Sequence, residues 1–241
     1  MQKSLIFTKL KLYKEIKKMK RTVYFLIDLS DSMRGSYGDA VNTAMEVVAK
    51  TIVPQIMYQK SADLTISFKV IGFKGEKDIR LLADVPFEDF PKTWKPIPEV
   101  EFGGGTPTGA AIKAVIVDIL GYLHGDVDSD ALPPVLILIS DGISNGRNPT
   151  YEEVMECADR NSPRYVSAFR KAVRVAIGVN VEEEGRAALQ KFGAISHYMR
   201  QIGIQPYYDC SAGYPEQLFE GLECVLHETL IPHFGVSCEP G

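Results

Sequence analysis

The chain has 241 residues, 45% apolar and 24% charged, the balance of an ordinary globular protein with material for a sizeable core. No stretch approaches the roughly 18 unbroken apolar residues that span a bilayer. The cysteines (Cys157, Cys210, Cys224, Cys238) form no CxxC pair, which argues against zinc or a disulfide framework and for a reduced, cytoplasmic protein. The net charge of −4 hides an asymmetry, because residues 1–21 hold eight basic side chains and one acid, leaving −11 on the remainder. An acidic body excludes a nucleic-acid surface there.

The basic start, residues 1–19, is expected to stand outside the fold. Leu5–Phe7 is too short for the apolar core of a secretory signal. A flexible extension and a basic functional tail both remain open, and Met19 is a credible alternative start. From residue 20 a single domain is expected to run to residue 232, followed by a short tail, 233–241.

Thr22–Ile27 is β-branched and aromatic and reads as a strand buried on both faces. Asp39–Tyr58 carries Val41, Ala44, Met45, Val48, Ile52 and Ile56 at helical spacing. Leu64–Phe73 alternates as a strand, with a turn at Lys74-Gly75 and a short edge strand at Asp78–Ala83. Pro86–Gly105 reads as a Pro- and Gly-rich loop before a helix at Thr108–Leu123, where Thr108 is an N-cap candidate. Val135–Ser140 is a second buried strand, and Tyr151–Phe169 is helical with a break at Ser162-Pro163. A strand at Ala172–Val179, a helix at Glu182–Phe192, a weak strand at Pro206–Tyr208 and a helix from Pro215 to Leu230 complete the pattern. Alternating strands and helices predict a doubly wound α/β fold, a mostly parallel six-stranded sheet with one antiparallel edge strand. Ligands of such sheets bind beyond the carboxyl ends of the strands, where the strand order reverses. The residues after Ile27 and Ser140 are therefore the place to look, and both are aspartates.

Asp28-Leu29-Ser30-Asp31-Ser32 follows the first buried strand, and alternate residues of an extended turn project to one side. Asp28, Ser30 and Ser32 are thereby able to converge. Gly103-Gly104-Gly105-Thr106 precedes a helix, its glycines permitting close backbone approach while Thr106 adds a hydroxyl. Ser140-Asp141-Gly142 adds a carboxylate at the end of the second buried strand. Carboxylates and hydroxyls are hard oxygen donors, suited to Mg²⁺ or Mn²⁺ and not to thiophilic ions.

These segments, in the strings FLIDLSDSM, GGGTPTGAAI and LILISDG, resemble the von Willebrand factor A domains that carry a metal-ion-dependent adhesion site. The resemblance covers about residues 20–230 and is nearest to bacterial cytoplasmic members, including those of tellurite-resistance operons. It implies a metal held by Asp28, Ser30, Ser32, Thr106 and Asp141, with no catalytic residue. Ser30 and Ser32 would bind directly, Thr106 directly or through water, and Asp28 and Asp141 mainly through water. A partner protein's Asp or Glu would complete the octahedron, in a stress-response or tellurite-resistance-type system without nucleic acid or membrane. Asp31 departs from the family, which usually has glycine there. It is able to strengthen the site, serve a neighbouring cation with Asp39 (integrin β subunits resemble this), repel an acidic ligand, or simply face solvent.

Two other function classes fit parts of the pattern. A Mg²⁺-dependent phosphoryl-transfer enzyme also suits an Asp after a buried strand, but the phosphatases of that design need a second Asp where this chain has Ser30. A metal-independent regulatory or scaffold subunit would use the same residues only to shape loops. His124, His197, His227 and His233 show no metal-binding pairing. Tyr37 and Trp94 are either exposed anchors near the site or packed aromatics, and Arg34 and Arg147 are either contacts for an acidic partner or solvated loop charges.

Overall fold

The computed structural model describes residues 19–125, 131–142, 144–146, 149–201, 203–210 and 215–231. The basic segment before residue 19, Arg147, His233, Cys238 and the side chain of His124 lie outside them. Strand β1 (Met19–Asp28) begins one residue before the expected domain boundary and buries every side chain from Val23 to Asp28. Val23, Phe25 and Ile27 enter one core, while Tyr24 and Leu26 enter a second core on the opposite face. Burial on both faces explains why the strand reads as an unbroken apolar run.

The next segment is helical as expected but not uniform. Helix α1 (Ser36–Val47) passes through a π-helical stretch, Val48–Ile52, into α2 (Val53–Gln59). Pro54 has no N–H to offer the preceding turn, and the wider winding absorbs that loss without ending the helix. Strand β2 (Leu64–Lys74) turns through Gly75 into β3 (Asp78–Pro86), which runs three residues past its expected end.

Residues 86–105 form a connector and not an open loop. It winds through a 3₁₀ turn (Phe87–Asp89), the short helix α3 (Phe90–Thr93) and another 3₁₀ turn (Glu99–Glu101). Phe87, Phe90, Ile97 and Phe102 anchor it in the core. Phe68 meets Phe25, Phe87 and Phe90 edge to face at centroid distances of 5.1, 4.9 and 5.1 Å. Trp94 packs tilted against Phe90 at a centroid distance of 5.6 Å, and Tyr37 also packs against this core, so both aromatics serve packing. Asn42 of α1 pins the connector, donating to the Ile97 carbonyl at 2.9 Å and accepting its N–H at 2.7 Å.

Helix α4 (Thr108–Gly125), which starts at Thr108, leads to β4 (Val135–Ser140). The helical stretch expected over 151–169 with a break at Ser162-Pro163 is two short helices, α5 (Tyr151–Met155) and α6 (Ser167–Lys171), and the turns between them are longer than the expected break. Asp159 accepts the Asn161 N–H at 2.9 Å and Ser162 accepts that of Arg164 at 3.1 Å, local bonds that displace helical ones around Pro163. Strand β5 (Val173–Val179), α7 (Glu183–Phe192), a short α8 (His197–Gln201), β6 (Tyr207–Cys210) and α9 (Pro215–Leu230) complete the chain.

The six strands lie in the order β3-β2-β1-β4-β5-β6, with only the β2–β3 pair antiparallel. Helices α1, α2 and α9 cover one face, while α4, α5 and α7 cover the other. The order reverses between β1 and β4, so the crevice for a ligand opens beyond Asp28 and Ser140.

Candidate functional site

Asp28 ends β1, and Asp141 follows directly on β4, the strand paired with it. Asp28 is fully buried. Its carboxylate accepts the Ser30 N–H at 2.9 Å and the Ser140 hydroxyl at 2.6 Å. Ser140 is held in turn, accepting the Gly142 N–H at 3.0 Å. Burial pushes the Asp28 carboxyl up to about 7, against the pull of those hydrogen bonds and with a push from the Asp141 charge. A buried carboxylate beside a second one lacks compensation that a cation supplies.

A 3₁₀ turn, Asp31–Met33, brings the two serines together, with Ser30 Oγ and Ser32 Oγ 3.0 Å apart. Ser30 is buried while Ser32 is exposed, so the pair runs from the core to the surface. The glycine loop is laid across this turn. Gly103 donates to the Leu29 carbonyl at 2.7 Å, and Asp31 N–H to that of Gly104 at 3.1 Å. Gly104 adopts φ 78, and a Cβ there would sit 3.0 Å from the Gly75 Cα of the β2–β3 turn, so glycine is required twice over.

Thr106 is buried at the end of this loop. Asn145, four residues after Asp141, accepts the Thr106 N–H at 2.7 Å and donates its own N–H to the Thr106 carbonyl at 3.2 Å. Gly142, at φ 85, lets the chain leave β4 against α7, where a Cβ would lie 2.5 Å from the Gly185 carbonyl oxygen. All three segments that carry Asp28, Ser30, Ser32, Thr106 and Asp141 are thus hydrogen-bonded to one another at the switch point. Among the described residues no three His, Cys, Asp or Glu side chains cluster as a metal site. A cation here would rest on two carboxylates and three hydroxyls, a set that fits Mg²⁺ or Mn²⁺ and does not fit zinc.

Two supporting residues carry no signal as donors in the sequence. Ser140 orients Asp28, and the short Ser-Asp-Gly string shows the position but not the role. Asn145 pairs with Thr106 across 39 positions, with only the polar Ser144-Asn145-Gly146 run to mark a turn. Asp31 is solvent-facing, yet engaged: its carboxylate accepts the Gly104 N–H at 2.9 Å and lies 3.2 Å from the Arg34 guanidinium. Arg34 also donates to the Phe102 carbonyl. Of the readings open for Asp31, the solvent-facing one describes its placement, and Arg34 is a loop charge tied both to Asp31 and to the Phe102 carbonyl.

No family model matches the sequence, and no curated protein is similar to it. Solved structures are similar in fold. The vWF domain of the type V pili tip protein Mfa5 from Porphyromonas gingivalis superposes with a TM-score of 0.53 at 11% identity, covering 91% of this chain and 99% of that one. The fold is that of a von Willebrand factor A domain. The pilus adhesin SpaC from Lactobacillus rhamnosus GG shares this A-domain fold (TM-score 0.62, 12% identity, 88% of this chain and 31% of that one). So does proximal thread matrix protein 1 from the mussel byssus (TM-score 0.55, 17% identity, 86% and 46%). The chain spans less than half the length of these last two proteins. No helix among the described residues is long and apolar enough to cross a membrane.

Proposed function

We propose that this A domain is a metal-dependent protein-interaction module whose Asp28, Ser30, Ser32, Thr106 and Asp141 hold Mg²⁺ or Mn²⁺. The observation that carries the reading is the buried Asp28 carboxylate beside Asp141, at the point where β1 and β4 diverge and two serine hydroxyls meet. When bound, the ion offers an electrophilic coordination position to an anionic oxygen, such as the Asp or Glu of a partner. The chain's own residues do the rest. Ser140 and the Ser30 N–H orient Asp28, Asn145 holds the Thr106 loop, and Gly142 turns the chain out of the crevice. The domain is taken to span residues 20–232, with the basic extension and the tail outside it. The free thiols of Cys157, Cys210 and Cys224 support a cytoplasmic setting, and resemblance favours a bacterial stress-response or tellurite-resistance-type system.

Calorimetric titration of Mg²⁺ and Mn²⁺ into wild type and a Ser30→Ala/Asp141→Ala variant tests the site. Saturable binding is expected in wild type only. Pull-down of partners with Mg²⁺ or with EDTA then tests the function, with recovery expected only with the metal. The hydrogen bonds already joining the three segments favour one second reading, a metal-independent scaffold, and equal recovery in EDTA would establish it.

A further inference from the structure

Asp31 stands where the resembled family has glycine, and its contacts assign it a task. Its backbone and side chain grip one residue from both sides. Asp31 N–H donates to the Gly104 carbonyl at 3.1 Å, and Asp31 Oδ2 accepts the Gly104 N–H at 2.9 Å. Arg34, one turn on, pairs with Asp31 Oδ1 at 3.2 Å and caps the Phe102 carbonyl, so it spans the same loop. The far side of the loop is also held: Gly104 packs on Gly75, and Lys74 donates to the Glu101 carbonyl at 2.5 Å. Thr106 lies two residues beyond this double grip.

We propose that Asp31 and Arg34 are positioning residues that latch the Gly103–Thr106 loop onto the serine turn before any metal binds, so that Thr106 is preset as a donor. Resting on the metal-site reading above, the latch gives the extra carboxylate a role other than ligation. Charge pairing with Arg34 also keeps Asp31 from repelling an incoming acidic side chain. A loop rich in glycine has high conformational entropy, and an acceptor fixed by a guanidinium offsets part of the cost of ordering it. A preset site binds its ligand more tightly than one that must be ordered by it.

The test reads the latch and the metal separately. In metal-free protein, exchange of the Gly104 amide, whose acceptor is the exposed Asp31 side chain, is followed by NMR in wild type, Asp31→Asn and Asp31→Ala. The expected result is about tenfold faster exchange or more in Asp31→Ala, with Asp31→Asn close to wild type because an amide oxygen still accepts. Unchanged exchange in Asp31→Ala overturns the latch whether or not the protein binds metal. In Mg²⁺ titrations Asp31→Ala is expected to bind about tenfold more weakly and Asp31→Asn to recover most of the loss. Wild-type affinity in Asp31→Ala overturns the positioning role, as does equal weakening in both variants, which would make Asp31 a charge donor to the ion. Absence of Mg²⁺ binding in every protein would sink the metal-site reading alone, leaving the amide exchange to decide the latch. Both substitutions lie on an exposed side chain, and unaltered melting confirms that the fold is kept.

Discussion

At the residue scale the site is a set of side chains that do not suit folding by themselves. Asp28 is the clearest case. Its carboxyl loses a proton near 3.8 in an unfolded chain but only near 7 when buried in the native one. Between those values the folded state binds the extra proton, so metal-free stability falls as the pH rises through that window. Asp28→Asn removes the charge while keeping size and an acceptor. In EDTA at pH 8 this variant is expected to melt a few degrees above wild type, a gain of about 1–2 kcal/mol. The gain should be markedly smaller at pH 5, inside that window, and vanish only below about 3.8, where the carboxyl is protonated in both states, and the variant should no longer be stabilised by Mg²⁺. Thermal melts at both pH values check this, and a variant less stable than wild type at pH 8 would contradict it. Stability given up for function is the expected signature of a ligand site.

At the element scale, short pieces are stapled by side chains where propensity alone would leave them frayed. Helix α5 has only five residues, and a capping box starts it. Thr150 accepts the Glu153 N–H at 3.2 Å, and Glu153 accepts the Thr150 N–H at 2.9 Å. Thr150→Ala is expected to cost about 1 kcal/mol in urea unfolding. The backbone bond to Thr150 holds the Glu153 carboxyl below its ordinary value, so its contribution is present above about 4.5 and is lost as the pH falls further. The difference between wild type and Glu153→Gln should therefore shrink in acid; a constant difference would show that the cap does not depend on the charge. The connector from 86 to 105 obeys the same logic on a larger scale. Its four apolar anchors and the Asn42 pin leave the glycine loop at a defined height over the serine turn.

At the scale of the whole molecule, the sheet turns two distant strands into one crevice and the aromatic cluster keeps it there. Phe68 touches three other rings at the centre of one core. Phe68→Ala is expected to cost about 3–5 kcal/mol, measured by denaturant titration, and to loosen the connector that carries the glycine loop. Loss of stability with unchanged Mg²⁺ affinity would show that the loop is held by its local bonds alone. Because β1 and β4 pair from Val23 to Ile139, such core damage reaches Asp28 and Asp141 together.

Much of this was readable along the chain. Strands buried on both faces announce themselves through β-branched and aromatic runs, since few polar residues are buried there, and the strand ends then point to Asp28 and Asp141. The proposed donors follow from chemistry that is local in sequence: a carboxylate, hydroxyls at alternate positions, a glycine loop. Local rules failed where partners are distant. The irregular look of residues 86–105 conceals four core anchors, because burial there depends on Phe25 and Phe68 rather than on periodicity. Pro54 and Pro163 look alike as helix breakers, yet one follows a π-helical stretch inside a continuing helix and the other lies among the turns between two short helices. The deciding difference is tertiary packing for the first and competing side-chain bonds for the second. The roles of Asp31, Ser140 and Asn145 were decided only by the fold. Each acts through a hydrogen bond to a segment 73, 112 or 39 positions away, and such pairings exist only after the strands have been brought side by side.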